Sequence, residues 1–273
     1  MYLKQFGLAQ HPFSLTPNTR FFLKMTSHQE AFSVILTALR ERSTLVKITG
    51  EVGTGKTMLC RKVLNALDAH RDKFVTAFIP HPILSEEGIM HTLAEELRIE
   101  HNPDLKYYEL LKLISERLIQ LSSSGKRFVL FIDEAQAMPE ETLKAVHLLT
   151  QIDTSNGKPA HVILFGQQEL DELLQSSTLH NLRDEINYTY TLPALTCDGT
   201  EAYIQHRLQR AGYSGSQLFE KKAIELAHKA SNGIPRIINI LCNKAMMAAF
   251  GKGDLTISAD HMERAIEDSK ASL

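Results

Sequence analysis

An apolar strand, Leu45–Thr49 (LVKIT), runs directly into Gly50-Glu51-Val52-Gly53-Thr54-Gly55-Lys56-Thr57 and then into a helical pattern. This is GxxxxGK[ST] in the strand–loop–helix context of a phosphate-binding loop. Each residue type has a physical task. Gly50, Gly53 and Gly55 permit backbone angles that turn successive N–H groups inward onto phosphate oxygens. The positive end of the helix beginning near Lys56 adds a field that favours an anion. Lys56 is expected to reach the β- and γ-phosphates, and the Thr57 hydroxyl to ligate Mg²⁺. The cradle is taken to run from Gly50 through Glu51, Val52 and Thr54 to Met58, with ATP or ADP and Mg²⁺ as cofactors.

The surrounding pattern alternates short β-rich runs with longer helical stretches. Phe74–Ile79, Phe128–Ile132, His161–Phe165 and Ile186–Leu192 read as four further strands, with helices near Lys56–Ala69, Glu86–Leu97, Tyr107–Leu121, Glu140–Gln151 and Gln168–Leu174 between them. Such alternation predicts an α/β fold, a five-stranded parallel sheet with helices on both faces. After Leu192 only helical periodicity follows, at Gly199–Gln209, Ser216–Ser231, Pro235–Phe250 and Ser258–Asp268. The chain is therefore expected to divide into a nucleotide-binding domain over 1–195 and a small all-helical lid over 196–273. The first 25 residues, rich in aromatics and proline, read as an ordered arm packed on the core.

The strand Phe128–Ile132 ends in Asp133-Glu134, which puts two carboxylates at the carboxyl edge of the sheet, where open α/β sheets bind ligands. Asp133 is expected to hold Mg²⁺ and Glu134 to polarise the attacking water as general base. A whole strand fits between the loop and this acid pair, which points to the hydrolysing, ring-forming branch of P-loop proteins. Three more side chains are candidates for the γ-phosphate. Gln167 follows the strand His161–Phe165 and would orient water or touch the phosphate if that strand neighbours Phe128–Ile132. Arg236, in Gly233-Ile234-Pro235-Arg236 at a helix start, could clamp the phosphate and couple lid motion to it. Arg183 precedes the fifth strand and is either a surface arginine or a finger acting on a neighbouring subunit's nucleotide.

Composition excludes several other classes. Thirty basic and thirty-two acidic residues in 273 leave a net charge of −2, so no bulk field draws the chain to nucleic acid or anionic lipid. The longest apolar run, Ala245–Phe250, is far below the roughly 20 residues of a bilayer span, and the N-terminus lacks a signal-peptide core. Three scattered cysteines and twelve histidines show neither a disulfide framework nor zinc spacing. A cytoplasmic location follows as the expectation.

Taken in order, Tyr2-x-x-x-Phe6-Gly7-Leu8, Pro12-Phe13, Pro17, Phe21-Phe22, Gly50–Thr57, Phe131-Ile132-Asp133-Glu134-Ala135-Gln136, Leu164-Phe165-Gly166-Gln167 and Gly233-x-Pro235-Arg236-x-Ile238-Asn239 resemble the AAA+ ATPases of the ExeA/GspA type. Those proteins assist assembly of secretion and pilus machinery in Gram-negative bacteria. The resemblance implies an oligomeric, ATP-driven assembly factor at the cytoplasmic face of the inner membrane, with secretion or pilus proteins as partners. Longer members add a transmembrane helix after the ATPase. The form that stops at the helical domain is similar to the ATPases of mannose-sensitive haemagglutinin type IV pilus biogenesis, and its membrane attachment is expected to run through a partner. Two positions depart from the pattern: His81-Pro82 replaces the usual Asn-Pro, and Asp184-Glu185-Ile186 the usual Gln-Arg-Ile. The rival functions are a DNA-transposition ATPase of the TniB type and a nucleotide-regulated adaptor with little turnover.

Overall fold

The computed structural model describes residues 2–16 and 18–270; Pro17 of the N-terminal pattern lies outside the described residues. Its contacts divide it into two compact units, each of which is built separately. One comprises Ser27–Gly50 and Leu59–Leu192; the other comprises Met1–Thr26, Glu51–Met58 and Pro193–Leu273.

The first unit is a five-stranded sheet. Strands β1 (Leu45–Gly50), β2 (Phe74–Ile79), β3 (Arg127–Ile132), β4 (Ala160–Gly166) and β5 (Ile186–Leu192) lie in the order β2-β3-β4-β1-β5. Every pair is parallel, with Ile132 of β3 opposite Leu164 of β4 and Thr49 of β1 opposite Gly166. The interior strands β3 and β4 are buried almost end to end, as continuous apolar runs under two helical layers should be. At the edge, β5 alternates half-buried and exposed residues, in keeping with its Ile-Asn-Tyr-Thr-Tyr-Thr-Leu sequence.

Because side chains alternate across a strand, the sheet feeds two cores. Leu130, Ile132, Val162 and Leu164 pack with the helices Glu86–Glu96, Tyr107–Ser123 and Glu140–Thr150. Val129, Phe131, Ile163 and Phe165 pack on the opposite face with Leu59, Cys60 and Val63 of the helix Lys56–Asp68. That second face is completed by a helix absent from the sequence-based assignment, Thr26–Arg40. Its buried Ala31, Ile35, Ala38 and Leu39 fall on one face at helical spacing.

One polar side chain is sealed inside this sheet. His161 of β4 is fully buried, its Nδ1–H donates to the Ser43 carbonyl at 2.7 Å, and its Nε2 has no hydrogen-bond partner among the described residues. Burial pushes its pKa down to about 4, and the nearby guanidinium groups of Arg127 and Arg42 add to the shift. Below the ordinary histidine pKa the unfolded chain takes up a proton that the folded chain refuses, so stability must fall as pH drops from about 6.5 towards 4. Full loss amounts to about 3 kcal/mol. Urea unfolding at pH 7 and pH 4.5 is expected to show a steeper loss for the native chain than for His161→Leu; equal losses would refute the buried neutral imidazole.

The second unit is helical: Cys197–Arg210, Lys221–Ser231, Pro235–Lys252 and Ala259–Lys270. The second of these helices starts later than the expected Ser216. Residues before Lys221 instead run alongside Ile257, with Glu220 N–H donating to the Ile257 carbonyl and Ile257 N–H to that of Leu218. The N-terminal arm belongs to this unit: its Tyr2, Phe6, Leu8, Phe13 and Phe21 join Tyr203, Leu208, Leu241 and Met246 in one core. Arg207 secures it: the buried guanidinium donates from Nε to the Pro12 carbonyl at 2.5 Å and from Nη2 to the Ser14 carbonyl at 3.1 Å, and it lies 4.9 Å from the centre of the Phe21 ring. No helix among the described residues is long and apolar enough to cross a membrane.

Candidate nucleotide-binding site

The loop leaves β1 at Gly50 and enters the helix that begins at Lys56. Its bend rests on two residues with left-handed backbone angles, Gly53 at φ +87° and Gly55 at φ +104°, which side-chain-bearing residues adopt only under strain. Space gives a second reason for Gly53: a Cβ there would lie 2.6 Å from the Cβ of Arg236. The backbone N–H of Arg236 donates to the Gly53 carbonyl at 3.3 Å. Arg236 therefore stands directly on the loop, with its side chain exposed.

Glu51 is the internal tie of the loop. Its carbonyl accepts from Thr54 N–H at 3.3 Å, from Thr54 Oγ1 at 2.8 Å and from Lys56 Nζ at 3.0 Å. Lys56 is only 5% exposed, so its ammonium is carried across the inside of the loop rather than into solvent. Thr57 and Met58 follow as half-buried residues in the first turn of the helix, where the peptide dipoles are positive. Glycines at forbidden angles, a buried ammonium and a helix N-terminus suit the polyphosphate of a nucleotide.

At the carboxyl end of β3 the two acids take different environments. Asp133 is 3% exposed; its N–H donates to the Ile79 carbonyl of β2 at 2.9 Å, and its Oδ1 accepts from Glu134 N–H at 3.1 Å. Its charge is felt nearby: burial, reinforced by the Asp133 carboxylate, pushes the Cys60 thiol far above its ordinary range. Glu134 is half-buried and has φ 54° and ψ 40°, a left-handed conformation uncommon outside glycine. A single 3₁₀ turn, Ala135–Ala137, follows.

Gln167 lies one residue beyond β4, which does neighbour β3, and its side chain is turned to the acid. Gln167 Nε2 donates to Glu134 Oε2 at 3.0 Å, and Gln136 Nε2 donates to the same oxygen at 2.7 Å. Gln136 Oε1 in turn accepts from the backbone N–H of Gln167 at 3.0 Å. The sequence pattern contains Gln136 but gave no reason to assign it a task; its position becomes meaningful only once β3 and β4 are adjacent.

Arg183 is exposed in the short helix His180–Asp184, and its nearest ionic partner is Asp184 at 3.4 Å. Glu185 accepts from Gln151 Nε2 at 2.8 Å and lies 3.3 Å from His147 Nε2. His81 is exposed just after β2.

Comparison with known proteins agrees with this architecture. The model of the AAA domain family matches residues 39–174. Over 253 residues the chain is 35% identical to General secretion pathway protein A of Aeromonas hydrophila, a match that takes in 93% of this chain and 46% of that protein. The chain thus spans less than half the length of this curated relative. Among solved structures it is similar to the ORC2 protein of Aeropyrum pernix, with a TM-score of 0.69 and 16% identity over 94% of this chain and 71% of that one. It is also similar to the RuvB Holliday junction branch migration motor of Thermotoga maritima, with a TM-score of 0.60 and 19% identity over 90% of this chain and 70% of that one. At such identities these two structures speak for the fold.

Proposed function

From the premise that this chain carries an AAA P-loop NTPase domain and is related to General secretion pathway protein A, we propose that it is an ATP-hydrolysing assembly factor for a bacterial surface machine, most specifically a type IV pilus of the mannose-sensitive haemagglutinin kind. The observation that carries the ATPase reading is the loop from Gly50 to Thr57, with its two left-handed glycines and its inward-drawn Lys56. The secretion relative supports the assembly role.

In this reading the loop N–H groups and Lys56 hold the β- and γ-phosphates. Thr57 and Asp133 offer the hard oxygen donors that Mg²⁺ takes, and the ion would neutralise phosphate charge. Glu134 accepts the proton of the attacking water, a task worth about 10²- to 10⁴-fold in rate. Gln167 and Arg236 sense the γ-phosphate, and Arg183 reaches the nucleotide of a second copy in an oligomer. Residues 1–195 form the nucleotide-binding domain with its arm, and residues 196–273 its helical lid domain. The assembly acts at the cytoplasmic face of the inner membrane with secretion or pilus proteins.

Deletion of the gene in a piliated Gram-negative host tests the assembly role. Surface pili are expected to disappear, to return with the native gene and to stay absent with Lys56→Ala. Normal piliation after deletion, together with DNA binding that weakens steeply with salt, would instead move the chain to a nucleic-acid role.

A further inference from the structure

Gln136 is anchored in a way that fixes its chemistry. The backbone N–H of Gln167 can only donate, so the Gln136 atom 3.0 Å away must be the carbonyl oxygen. Its NH₂ is then forced to the other side, 2.7 Å from Glu134 Oε2. The side chain bridges two elements, the 3₁₀ turn after β3 and the residue after β4, and its orientation leaves no amide flip. Gly166 makes room for it: a Cβ at that position would lie 3.2 Å from Gln136 Oε1 and 2.7 Å from Leu170 Cδ2.

Gln167 holds Glu134 differently. Its side-chain amide donates to Oε2 at 3.0 Å, whereas its backbone N–H holds Gln136. The side chain can therefore turn towards a γ-phosphate without releasing Gln136, because the anchor is the main chain. Gln136 is the donor that persists and Gln167 the one that can exchange.

We propose that Gln136 is the positioning residue for the general base: it fixes the rotamer of Glu134 through Oε2 and keeps the carboxylate aimed while Gln167 exchanges between Glu134 and the nucleotide. This rests on the reading of Glu134 as the base that activates water.

Gln136→Met keeps the length of the side chain and removes both hydrogen bonds; Gln136→Glu puts a second carboxylate against Glu134. Steady-state phosphate release, ATP affinity and thermal midpoint would be measured for both, beside Glu134→Gln. For Gln136→Met the expected result is kcat lower by on the order of tenfold or more, with ATP affinity and thermal midpoint unchanged. Gln136→Glu should lower kcat at least as far, since a carboxylate only accepts and cannot donate to Glu134 Oε2. Unchanged or raised kcat, or a loss of kcat fully accounted for by lost ATP affinity, overturns the proposal. If Glu134→Gln abolishes turnover while Gln136→Met leaves the rate native, the base stands and only the role of Gln136 falls. Native turnover in Glu134→Gln removes both.

Discussion

Lys56→Ala is expected to weaken ATP binding by on the order of 10²-fold, the scale of a lost hydrogen-bonded charge. The ammonium is the only strong cation that the loop itself carries inward, and its 5% exposure means that it meets phosphate with little water left to remove. The substitution spares the loop's other ties. Thr54 still donates to the Glu51 carbonyl from both N–H and Oγ1, and Gly53 still accepts from Arg236. Loss of binding with a native melting temperature is therefore the expected signature, readable by titration with a fluorescent ATP analogue. Native affinity in this variant would remove the phosphate-loop assignment.

Glu134→Gln is expected to retain ATP and to lower turnover by about 10²-fold or more. The variant is nearly isosteric, and its amide oxygen can still accept from Gln136 and Gln167, the donors now 2.7 Å and 3.0 Å from Oε2. Geometry is preserved while basicity is lost. A fall in kcat without a fall in affinity thus isolates proton abstraction from binding. Equal loss of affinity and rate would instead assign Glu134 a structural task.

Much of this site is legible in the sequence because its two halves are local. A strand followed by GEVGTGKT, and a strand followed by Asp-Glu, carry their own context, and the order of apolar runs suffices for a parallel sheet. What is not legible depends on partners distant in the chain. Nothing in Ala135-Gln136-Ala137 distinguishes the amide from a solvated one; its partner lies beyond β4, and only strand adjacency joins them. The N-terminal arm shows the same limit. Phe6, Phe13 and Phe21 mark it as ordered, but apolar residues do not say which core they enter, and the choice of the helical unit is made by Arg207 through the Pro12 and Ser14 carbonyls. The helix Thr26–Arg40 is the reverse case, with a regular apolar face overshadowed by the irregular arm before it.

Steady-state phosphate release from ATP and Mg²⁺, measured on the full chain beside Glu134→Gln under conditions where both are saturated with nucleotide, tests the central claim most directly. The account predicts measurable turnover by the native chain and release slower by about 10²-fold or more in the variant. Equal rates at equal occupancy would contradict it.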